Sequence, residues 1–194
     1  MSSTGPDPTG WRPRRRELLA AAGLVAAGGL VLGAPTPAAG QGVRDIEAII
    51  GAVRLEQALA VGYAAIARRP ALGLDLRKLV AHLAVQELEH AAALLKLAEY
   101  VGVQPPVAPS VAEVERKLPA VAAATDHAGA LTALDELERA EILGFSTYVQ
   151  VLTDVKLIQL VAAVMCGDAQ HLAVVRQAAG EDPIPAAFET GQRR

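Results

Sequence analysis

The sequence predicts an all-α fold, a four-helix bundle with one long crossover between helices 2 and 3. Three observations carry this expectation. Hydrophobic residues make up 52% of the chain but aromatics only 3%, so strong helix formers such as Ala and Leu dominate and the aromatic strand formers are scarce. Apolar residues recur with a helical period through four long stretches. Those stretches are joined by two tight breaks and one long Pro-rich connection, a single non-repeating crossover that argues against an array of helical hairpins. At 194 residues the chain can bury one sizeable core, or two small ones at most.

Taken in order, residues 1–13 are polar and rich in Gly and Pro, and lead into Arg14-Arg15-Arg16-Glu17-Leu18-Leu19 and an apolar run to Leu32. Small residues around Ala34 to Ala39 then suit peptidase cleavage. A basic region, an apolar stretch and a small-residue site make a secretory signal, so residues 1–39 are set outside the fold. Arg15-Arg16-x-Leu18-Leu19 resembles a twin-arginine signal, which implies export of an already folded protein to the periplasm, cell envelope or exterior. The alternative is an ordinary secretory signal with a rich basic region. No Cys follows the apolar run, so no lipoprotein anchor is expected, and membrane attachment would require an uncleaved signal.

The domain proper is expected over residues 40–190. The first helix reads over 45–68, with Ile46, Ile49, Ile50, Val53, Leu59 and Ala60 in helical period, and stops at Arg69-Pro70. Asp75 is the expected cap of a second helix of about 26 residues, roughly 39 Å long, which Gly102 ends. Prolines at 105, 106 and 109 exclude helix; Ser110-x-x-Glu113 then has the form of a capping box opening a short helix to about Ala124. A third helix is expected over 128–152, broken at Thr153-Asp154, and a fourth to about Ala179, before Gly180 and Pro183-Ile184-Pro185.

Charge and cysteine usage narrow the chemistry. A formal net charge of -3 gives no basic field, so no nucleic-acid partner is expected. The single cysteine, Cys166, excludes an intramolecular disulfide and any Cys-rich zinc or iron-sulfur site, leaving oxygen and nitrogen as metal donors. No Ser-His-Asp order or glycine-rich phosphate loop is evident.

The chemistry concentrates in an internal repeat. Residues 55–66 parallel 137–148, with Glu56 on Glu138, Gly62 on Gly144 and Tyr63 on Phe145. In the same register Glu87-x-x-His90 falls against Asp168-x-x-His171. Three residues along a helix is nearly one turn, so each acid and its histidine share a face, and Leu83, Ala84, Ala91 and Leu94 make that face an inward one. A carboxylate and an imidazole buried together are costly unless paired, by a metal or by each other. All candidates lie near mid-helix, so in a bundle they meet at one level.

One carboxylate from each of two helices, with an acid-x-x-His from each of the other two, resembles the ferritin-like superfamily, in particular its exported bacterial ferritin-like domain proteins. The resemblance covers about residues 44–190, including the tail from Pro183 to Glu189. It implies two iron or manganese ions held by Glu56, Glu87, His90, Glu138, Asp168 and His171, with His90 and His171 each on one metal. Two departures stand out: Asp168 has a shorter arm than the usual Glu, and Glu141, one turn from Glu138, is an extra ligand, a replacement for it, or part of an ion pair. Glu138 is preferred because the repeat aligns it with Glu56.

Four residues are set aside. His82 and His127 are expected in solvent, Tyr63 as a core tyrosine with a satisfied hydroxyl, and Cys166 as a small buried residue. The expected function is an exported di-metal carboxylate protein with ferroxidase, peroxidase or catalase-like chemistry. With no Cys-x-x-Cys pair, it would draw on an external electron donor; homo-oligomers are compatible with the reading. The alternative is a non-catalytic exported helical bundle for stress tolerance or partner binding, its polar core retained without metal.

Overall fold

The computed structural model describes residues 41–192, so the expected signal over 1–39 lies outside the described residues. The described residues form six helices and no strand: α1 (Gln41–Ala67), α2 (Leu74–Tyr100), α3 (Val111–Lys117), α4 (Pro119–Ala123), α5 (His127–Val151) and α6 (Val155–Ala178). The all-α expectation holds, and the four long helices fall within a few residues of the predicted ranges.

Local chemistry explains the differences. Residues 110–124 do not form one helix, because Pro119 forces Leu118 out of the helical region, to φ -121 and ψ 80, and so divides α3 from α4. The capping box does form: Ser110 Oγ accepts from the Glu113 amide at 3.3 Å, and Glu113 Oε2 accepts from the Ser110 amide at 2.8 Å. Asp75 is not the cap of α2. Gly73 takes that position without a side-chain bond, and Asp75 sits in the first turn, where its charge complements the helix dipole. α5 begins one residue earlier than expected because Asp126 caps it, accepting from the Gly129 amide at 2.8 Å.

The long α2 ends as its sequence predicts. Gly102 adopts φ +75, with its amide on the Glu99 carbonyl and that of Val103 on the Ala98 carbonyl, the paired bonds of a Schellman stop. α1 starts before Asp45, which is buried and serves another purpose. Its carboxylate accepts from the Thr153 amide and hydroxyl, both at 2.8 Å, and from the Asp154 amide at 3.2 Å. It thereby fixes the α5–α6 turn to α1.

The core consists of two apolar clusters. One gathers Leu59 and Ile66 of α1, Val80 and Leu83 of α2, Val114 and Val121 of the short helices, and Leu131, Leu134 and Leu137 of α5. The other gathers Ile49 and Val53 of α1, Leu94 and Ala98 of α2, Phe145 of α5 and Leu157 and Val161 of α6. α1 and α6 therefore run from the second cluster to the first, while α2 and α5 run the opposite way, so residues 101–126 return the chain along the length of the helices. α1 packs most extensively on α2, and α5 on α6. α1 from Gly42 and α6 are also long and apolar enough to cross a membrane by length and composition, yet each carries acids into the interior between the two clusters. Beyond Gly180 the tail is tied back by Arg176, paired with Glu189 at 2.7 Å, and by Arg139 donating to the Gln192 carbonyl at 3.0 Å.

Replacing Asp45 by Ala leaves the amides of Thr153 and Asp154 without their partner, and is expected to cost about 2 kcal/mol, read as a lower urea midpoint with an unchanged slope.

Candidate metal centre

Between the two apolar clusters each long helix turns charged or imidazole side chains inward. Glu56 comes from α1, Glu87 and His90 from α2, Glu138 and Glu141 from α5, and Asp168 and His171 from α6. All seven residues named from the sequence are thus in one belt, and all five acids are fully buried. The short arm of Asp168 does reach it.

Two groups within the belt offer donor atoms lying within 4.8 Å of one another: Glu56, Glu87, His90 and Asp168, and Glu87, Glu138, Asp168 and His171. Glu87 and Asp168 belong to both. The imidazoles stack with centroids 5.5 Å apart and planes 17° from parallel, and each turns Nδ1 toward the acids. Nδ1 of His90 lies 3.4 Å from Asp168 Oδ1 and 3.7 Å from Glu56 Oε1 and Glu87 Oε2. Nδ1 of His171 lies 2.6 Å from Glu87 Oε1 and 3.4 Å from Glu138 Oε1. The 2.6 Å approach has the length but not the alignment of a hydrogen bond, so both atoms remain without a hydrogen-bond partner. Glu141 stands in neither group but is buried with both oxygens unpaired. Glu138 and Glu141 are therefore both part of the belt rather than exclusive choices.

Among the described residues, and of the ten carboxylate oxygens of the five acids, only Oε1 of Glu138 has a hydrogen-bond partner, the Tyr63 hydroxyl, which donates to it. Tyr63 is buried and, as expected from the sequence, has its hydroxyl satisfied. Nine unpaired buried carboxylate oxygens cannot all carry charge in a dry interior. Burial, reinforced by the charges of Glu87 and Asp168, pushes Glu56 up to about 11. Burial, with Glu138 and Glu87, pushes Asp168 up to about 9, and burial raises Glu138 to about 7 despite His171 beside it. Glu141 rises well above its usual range from burial and then from Glu56 and Asp168. Burial also acts on Glu87, but His171 and His90 outweigh it and take that carboxyl down to about 2. In turn burial would lower His171, yet Glu138 and Glu87 raise it to about 10.

Hard oxygen donors with two imidazole nitrogens suit a divalent cation, and such a cation would satisfy the oxygens that accept no hydrogen bond from the described residues. His82 and His127 are exposed, as expected. Cys166 is exposed rather than buried: it lies on the outer face of α6, two residues before the inward Asp168. Sequence reasoning missed Gln86 and Gly167. Gln86 Oε1 lies 3.0 Å from Nε2 of His171, and a Cβ on Gly167 would come within 2.9 Å of His90 Nε2. Each directly precedes an acid of the belt, and that position in the repeat was the available signal.

The raised carboxyls give the metal-free protein a definite pH dependence. Glu56, Asp168 and Glu141 hold protons in the folded state that the unfolded chain releases above its ordinary value of about 4. Stability is therefore lost as pH rises through the interval up to about 9, and His171 adds to the loss between 6.5 and about 10. Glu87 acts oppositely, but its contribution disappears only as pH falls toward about 2. Thermal unfolding with excess chelator should show a falling midpoint from about pH 5 to about pH 9; a rising midpoint would contradict the charge assignment.

No family model matches the chain, and no curated protein matches it. Among solved structures, the crystal structure of hypothetical protein MJ0754 from Methanococcus jannaschii DSM 2661 is similar in fold, with a TM-score of 0.64 at 16% identity, covering 84% of this chain and 93% of that one.

Proposed function

We propose that the chain is an exported ferritin-like protein whose four long helices form a bundle around two iron or manganese ions, with ferroxidase, peroxidase or catalase-like activity. The observation that carries this reading is the set of nine buried carboxylate oxygens without a hydrogen-bond partner among the described residues, facing two imidazole Nδ1 atoms between two apolar clusters. One metal would take His90 and Glu56, with Glu141 beside them, and the other His171 and Glu138. Glu87 and Asp168, common to both donor groups, are the bridging candidates. When bound, such a metal pair supplies redox exchange with dioxygen or peroxide at open coordination positions.

The chain's own residues contribute holding and shielding. Four helices deliver the acids at one level, Tyr63 holds Glu138 through its hydroxyl, and the apolar clusters above and below exclude water. Export rests on the signal-like residues 1–39, and with no Cys-x-x-Cys pair in the chain the reducing electrons would come from an external donor. Lysine at both Arg15 and Arg16 should leave the protein in the cytoplasm with residues 1–39 attached, as read by fractionation and intact mass; unimpaired export would remove the twin-arginine route.

The deciding experiment is elemental analysis of protein from its native host, with titration of the metal-free form by ferrous and manganous ions. The expected result is about two metals per chain. Glu87→Ala and His171→Ala should each lower uptake by at least one metal while the helical circular dichroism persists. No metal and no uptake would shift the assignment to the metal-free helical protein that binds partners.

A further inference from the structure

The repeat makes the two halves of the belt look equivalent, and the side chains just outside it break that equivalence. Glu87 pairs with Asp168 in the repeat, so the residues preceding them, Gln86 and Gly167, occupy matching positions. Gln86 Oε1 sits 3.0 Å from Nε2 of His171. An amide oxygen only accepts, so this contact holds a proton on Nε2 and leaves Nδ1, which faces Glu87 and Glu138, as the nitrogen that a metal would take by displacing its proton. The His171 side chain is 6% exposed and held from both sides.

Nothing equivalent supports His90. Gly167 has no side chain to offer, and its α-carbon lies so close to the ring that an added Cβ would be 2.9 Å from both Cε1 and Nε2. The His90 side chain is correspondingly 19% exposed, and its Nε2 makes no hydrogen bond to another described residue. A glycine in the middle of a long helix costs helix stability relative to alanine, so its place here needs a local reason, and the ring pressed against it is one.

Resting on the dinuclear reading above, we infer that the two metal positions are unequal by construction. The His171 position is a fixed, tightly binding one whose imidazole Gln86 orients. The His90 position is the exchangeable one, reached from solvent past Gly167, where metal enters and where small ligands such as peroxide gain access. Gln86 is a positioning residue, acting on the metal only through His171. Gly167 leaves the room that the His90 ring occupies, without a side chain to fix it.

The test is titration of the metal-free full domain with manganous ion alone, following the free-ion electron paramagnetic resonance signal. Wild type should take up two ions in two steps at least about tenfold apart in affinity. Removing an outer hydrogen-bond partner of a metal-binding histidine typically weakens binding about 10- to 100-fold, so Gln86→Leu should weaken the tight step by that factor and spare the weak one. Gln86→Glu, which keeps an oxygen acceptor, should retain the tight step. Gly167→Ala should do the reverse of Gln86→Leu, displacing His90 and removing the weak step while the tight step stays within about twofold. A merely structural role for either residue would move both steps together, and that result overturns the inference, as does a wild type with two equal steps. Either outcome leaves the dinuclear reading standing. A wild type that binds neither manganous nor ferrous ion defeats that reading, and this inference with it.

Discussion

The constraint on which this structure depends is the cost of dehydrating carboxylates. Glu56, Glu87, Glu138, Glu141 and Asp168 are all withdrawn from water, and the protein supplies one hydroxyl, from Tyr63, to satisfy them. An interior like this survives only if protons or metal ions neutralise the acids. The two apolar clusters on either side offset the cost: dozens of buried Leu, Ile, Val and Ala side chains pack above and below the belt. The architecture reads as a stable helical scaffold carrying a deliberately unfavourable layer, the usual relation between scaffold and site.

The scaffold was legible because its signals are local. Helical periodicity, the Ser110 capping box and the Gly102 stop are each decided within a few residues, and each took the predicted form. The acid-x-x-His spacing and the half-repeat found six of the seven belt residues, and Glu141 followed from its place one turn from Glu138, since period and burial together fix which way a helical side chain points. Failures arose where a neighbour or a distant element decides. Pro119 acts on the residue before it and split an expected helix. Asp75 had the composition of a cap but the position of a first-turn anion. Asp45 bonds to a turn more than a hundred residues away, which no pattern in its own helix announces. Cys166 has apolar character, yet its angular position on α6 turns it outward. Gln86 and Gly167 matter only through a histidine on another helix, so their roles are tertiary.

Fold similarity adds the outline and not the chemistry. A 16% identical archaeal structure matches most of both chains, which establishes that this arrangement of helices recurs, while the proposed activity stands on the side chains of the belt alone. The symmetry of the halves and their departures from it carry different information. The shared positions form groups that could hold a metal ion, and the unshared ones carry the inferred difference between them.

The belt residues are divided between hairpins in a way that bears on how the chain reaches this state. α1 with α2 supplies Glu56, Glu87 and His90, and α5 with α6 supplies the other four. Each donor group draws three members from one hairpin and one from the other, so neither hairpin alone completes a site. Helical hairpins close through contacts near in sequence and assemble quickly, whereas joining them requires the 101–126 connection to be traversed and contacts of high sequence separation to form. Until that joining step, the acids remain hydrated on open faces; at the joining step they lose water together and repel one another. On the proposed dinuclear reading, the last event in assembly is therefore also the one that gathers the cations, because neither hairpin holds a complete donor group before it.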